Sequence, residues 1–93
     1  MTVALMLVAA PNVALAKRGG DGDKRSEFYG FVQERPEHGQ HGDWVIGGRT
    51  VTSDAGTEFD QSEGPLQVGS CAKVHIRNGR IHEIDSEPIR NCR

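Results

Sequence analysis

Residues 71–85, CAKVHIRNGRIHEID, decide how this chain is read. Val74 and Ile76 alternate with Lys73, His75 and Arg77, the period of two expected of a half-buried strand. Asn78-Gly79 is the preferred two-residue type I′ hairpin turn, because both positions tolerate positive φ. Arg80 to Asp85 then returns antiparallel, placing Arg77 opposite Arg80, Ile76 opposite Ile81 and His75 opposite His82. Ile81 and Ile84 are three residues apart, so a bulge near His82-Glu83 is needed to bring Ile84 back to the core face.

The same pattern extends upstream. Glu27 to Glu34 reads as a strand with Phe28, Gly30 and Val32 on one face and Tyr29 and Phe31 on the other, Gly30 marking a bend or bulge. Residues 36–43, PEHGQHGD, form a polar loop. Gly47-Gly48 separates Trp44-Val45-Ile46 from Arg49-Thr50-Val51-Thr52 as a second hairpin. Thr57 to Phe59 is read as a short strand, followed by a turn-rich connection from Gln61 to Gly69. Pro88 ends the last strand. No window keeps apolar residues at helical spacing for three turns, so no long helix is expected. The fold expected is all-β: a small five- to six-stranded barrel resembling an OB-fold without its helix, closure being one way to remove exposed sheet edges.

The first sixteen residues stand apart. Thirteen of them are apolar, none is charged, and the run closes on Ala14-Leu15-Ala16, the small-residue pattern of a secretory cleavage site. It is shorter than the roughly 20 residues of a membrane span and contains Pro11. Residues 1–16 are therefore read as a cleaved signal peptide, 17–26 as a flexible linker that cannot offset its own ordering entropy, and 27–93 as one domain. A domain of this size buries only roughly 60% of the surface its unfolded chain exposes, which rules out a two-domain enzyme, a doubly wound nucleotide-binding fold or a helix bundle. Export implies a periplasmic or secreted location. There, Cys71 and Cys92 are expected to form a disulfide rather than a redox pair or a thiolate metal site.

The run from Gly42 to Pro88, together with Gly30-Phe31-Val32, the Gly47-Gly48 hairpin, Thr57-Glu58-Phe59, Val68-Gly69 and Ile84, resembles a bacterial family of small exported β domains of unknown function, numbered 5666. That resemblance implies the barrel and the exported location; it implies no activity. The acidic residue the family usually carries near Ser70 is absent here, and Cys71 with Cys92 is not part of its general pattern.

Two kinds of site are expected from the residues. Lys73, His75, Arg77, Arg80 and His82 fall on one side of one ribbon, and Trp44 and Arg49 on the other hairpin supply a ring and a further charge. This patch is read as the docking face for a protein or an anionic envelope ligand, with Trp44 either a stacking platform or a core residue. A net charge of −2 and the export segment argue against nucleic acid. The alternative is a metal-binding protein holding zinc, copper or nickel through His38 and His41, with His75 and His82 as a facing pair. The competing reading of all four histidines is a solvated loop and the wet face of a hairpin. Ser53 and Asp54 lie in a turn with no nearby histidine in sequence, the acids are scattered, and no glycine loop precedes a helix, so catalysis is not expected and no cofactor beyond a zinc or copper ion is implied.

Overall fold

In a computed structural model, residues 24–93 are described; the expected signal peptide and most of the expected linker lie outside them. Six strands follow in order: β1 (Arg25–Glu34), β2 (Gly42–Ile46), β3 (Arg49–Ser53), β4 (Glu58–Asp60), β5 (Cys71–Arg77) and β6 (Arg80–Glu87), with a final 3-10 turn over Ile89–Cys92. They form one mixed sheet in the order β3-β2-β1-β5-β6-β4. Both hairpins fall where the glycines place them. Ile46 pairs with Arg49 around Gly47-Gly48, and Arg77 pairs with Arg80 around Asn78-Gly79, with positive φ at all four turn residues. The first strand begins at Arg25, two residues before the expected Glu27.

The sheet is open, and this corrects the barrel. β3 and β4 are its two edges, and no ladder joins them, although only the turn Asp54–Thr57 lies between them in the chain. The physical reason is the direction and length of β4. It is three residues long and runs parallel to its one partner, β6, with Phe59 beside Ile84. An OB-like arrangement would need that segment to close the sheet; here it caps an edge instead. The expected all-β class without a long helix stands.

The inner face carries a single small core. Val32, Trp44, Ile46, Val51, Leu66, Ala72, Val74 and Ile84 are buried, with Phe28, Phe59, Ile76 and Ile81 packed around them. Trp44 of β2 stacks on Phe59 of β4, ring centroids 5.9 Å apart, so side chains from opposite wings of the sheet meet without backbone pairing. Gly30 is required by this packing: a Cβ there would lie 2.5 Å from the Cα of Gly47. The disulfide expected between Cys71 and Cys92 is present, with Cα atoms 5.8 Å apart, and it ties the C-terminal turn to the start of β5.

Candidate metal site on the outer face

The bulge in β6 positions the site. Ile76 pairs with Ile81 and Val74 with Ile84, as core alternation requires, and the extra residue between the two pairs is His82. The residue opposite His75 is consequently Glu83, not His82. One residue of slip converts the expected pair of histidines into a histidine beside a carboxylate. Because β6 resumes its alternation at Glu83, Asp85 falls on the same outer face, two residues further along.

His75, Glu83 and Asp85 form a cluster in which one ligand atom from each lies within 4.8 Å of the others. His75 Nε2 is 2.9 Å from Asp85 Oδ2, and its Nδ1 is 3.6 Å from Glu27 Oε1 on β1. Asp85 is largely sheltered, with 15% of its side chain exposed. Its second oxygen, Oδ1, is buried with no hydrogen-bond partner. Such an oxygen costs free energy unless a proton or a cation meets it. Glu83 responds to the same crowding. Burial pushes its carboxyl above the ordinary value of 4.5; a hydrogen bond with Asp85 and the charges of Asp85 and Glu58 raise it further, while His75 pulls it down.

The surrounding register reverses the charge expected for this face. Glu27 of β1, His75 of β5, Glu83 of β6 and Glu58 of β4 lie side by side across four strands. In the next row stand Tyr29, Lys73, Asp85 and Asp60. Lys73 lies 5.3 Å from the Tyr29 ring centroid, and a hydrogen bond with Tyr29 heads the causes that raise its pKa. Arg77 and Arg80 occupy a separate row at the hairpin end, where Arg80 pairs with Asp54 at 3.1 Å. The basic face is therefore an arginine row bordering an acidic field centred on His75.

The remaining expected residues are dispersed. Trp44 is fully buried, so it is core and not a platform; its Nε1 donates to the Gln40 carbonyl at 3.0 Å and to Ser53 Oγ at 3.3 Å. Arg49 lies over the Phe28 ring, 4.1 Å from its centroid, on the opposite wing from Lys73. His38 and His41 are exposed, and among the described residues no metal-capable group includes either one. Glu83 and Asp85 were missed because acids on an exposed strand carry no signal alone. The signal available was the bulge, which already required Glu83 to rejoin the outer face.

No family model matches this chain, nor does any curated protein or solved structure. With the sheet open as well, the resemblance to the 5666 family and its barrel is not supported.

Proposed function

We propose that this protein binds a divalent transition metal through His75, Glu83 and Asp85, by binding alone and without a reaction of its own. The observation that carries this reading is the buried, unpartnered Oδ1 of Asp85 within reach of a histidine and a second carboxylate. Imidazole with carboxylates suits zinc and its neighbours, with ligand distances of about 2.0–2.2 Å. Atoms bound to one such ion lie at most about 4.4 Å apart, so the present spread needs only a small rotation of a carboxylate to close. Burial favours a proton on Glu83 more than on an ordinary glutamate, and a metal would compete with it for the same oxygens. The Cys71–Cys92 bridge and the export segment support a periplasmic or secreted setting. No helix among the described residues is long and apolar enough to cross a membrane.

Zinc titration followed by histidine ring NMR tests the assignment. His75 is expected to shift at micromolar zinc, while His38 and His41 remain still, and His75→Ala should abolish the response. Zinc shifts confined to the loop histidines would refute it.

A further inference from the structure

The ring of His75 is held between two carboxylates, and only one of them belongs to the metal cluster. Its Nε2 meets Asp85 Oδ2 of β6 at 2.9 Å, while its Nδ1 lies 3.6 Å from Glu27 Oε1 of β1. The sheet dictates this arrangement. Glu27 is directly opposite His75 across the β1–β5 ladder, and β6 flanks β5 on the other side. Glu27 is not one of the three residues whose ligand atoms converge. It is half exposed, with 51% of its side chain accessible, so it can turn to close a gap that is slightly too long for a hydrogen bond. The Lys73 ammonium, in the neighbouring row of β5, attracts the same carboxylate.

Resting on the metal assignment above, we propose that Glu27 is the positioning residue of the metal site: it accepts the Nδ1–H of His75, so that Nε2 is the nitrogen offered to the ion. A neutral imidazole has one nitrogen free to ligate and carries its hydrogen on the other. Nε2 faces Asp85, a member of the cluster, so ligation there leaves the hydrogen on Nδ1, facing β1. Asp85 Oδ2, which now meets Nε2, would turn to the same ion. A carboxylate on the far nitrogen fixes the tautomer and the ring orientation, and it makes the ligating nitrogen more basic. Glu27 therefore acts on the metal through His75 and does not touch it.

The test is zinc calorimetry on the full chain, combined with NMR of the ring nitrogens, for wild type, Glu27→Ala and Glu27→Gln. Glu27→Ala should weaken zinc binding about tenfold or more. Glu27→Gln keeps an acceptor oxygen without the charge, and its affinity should fall between the other two. In the zinc-loaded wild type, His75 should carry its hydrogen on Nδ1 and the metal on Nε2. The Nδ1 hydrogen should exchange slowly with water, and faster in Glu27→Ala, a signature that a merely structural role of Glu27 would not move. Glu58→Gln is the control for simple attraction of a cation, because it removes an equal charge from the same row, two strands away from His75. Zinc affinity of Glu27→Ala within about threefold of wild type overturns the positioning role and leaves the metal site standing. A loss no larger than that of Glu58→Gln, or zinc found on Nδ1, does the same. Absence of zinc binding by the wild type overturns both.

Discussion

Glu83→Gln should make the metal-free protein more stable and abolish its response to zinc. Glu83 faces Glu58 directly across the β4–β6 ladder and shares the outer face with Asp85, while His75 opposite is its one attractive partner. Cross-strand charge pairs contribute roughly 0.2–1 kcal/mol each, with like pairs unfavourable. Two repulsions relieved against one attraction lost gives a net gain on the order of 0.2–1 kcal/mol. For a domain of this length that is a rise of about 1–8 °C in Tm. The pH dependence fixes the sign. Burial holds the folded carboxyl of Glu83 above the 4.5 of an ordinary glutamate. Its favourable contribution is thus complete below that value and is lost as pH rises through the folded pKa. Variant and wild type should therefore melt together near pH 4 and diverge towards pH 8. Zinc at a hundred times its Kd adds about 2.7 kcal/mol to the wild type, a shift of more than about 10 °C. The assay is thermal melting by circular dichroism at pH 4 and pH 8, in chelator and in zinc. A variant that melts below wild type in chelator at pH 8, or that zinc stabilises equally, refutes the reasoning.

Zinc binding should release protons, because Glu83, whose carboxyl burial pushes above its ordinary value, must be ionised to ligate. Affinity is expected to fall at least about tenfold between pH 7.5 and 5.5, and calorimetry in buffers of different ionisation enthalpy reads the proton count. Gly30→Ala should cost about 3 kcal/mol or more, seen as a lowered urea midpoint, because its Cβ would meet the backbone of Gly47 and neither strand can yield locally. Reducing Cys71–Cys92, which closes a sequence separation of 21, should cost about 3 kcal/mol. Alkylation without reductant should label neither cysteine.

What could be read from residues alone follows the range of the interactions involved. The two hairpins rest on Gly47-Gly48 and Asn78-Gly79, where the turn fixes its own register, and both are found as expected. The core positions Val32, Val51 and Val74 follow from strict alternation, Ile84 from alternation reset by the bulge, and all four are buried. The edge strand was harder. Glu58–Asp60 looks the same in sequence whether it closes a barrel antiparallel or caps an edge in parallel, since that choice depends on the path of a connection without regular pattern. Trp44 illustrates the same limit. An aromatic on a short strand is equally suited to a platform or a core, and here Phe59, arriving from the far edge, decides for the core. The candidate metal cluster was half legible: His75 was placed on the outer face, but its partners depended on which residue of His82-Glu83 was extruded.

That bulge connects the core to the site. Ile81 and Ile84 must both reach the inner face, and a regular strand would send one of them outward. Accommodating both forces one extra residue into β6, and His82 is the residue displaced. The same slip sets Glu83 against His75 and carries Asp85 into reach of its ring. The parallel pairing of β4 then adds Glu58 and Asp60 to the same rows. Apart from Lys73 opposite Asp85, Glu27, Glu58, Glu83 and Asp85 crowd one imidazole with like charge, an arrangement that a domain with so small a core would discard if stability alone mattered. On the proposed reading, a bound dication would relieve that repulsion and meet the orphaned oxygen of Asp85 at once. On this argument, the bulge serves packing on one face of the sheet and ligation on the other.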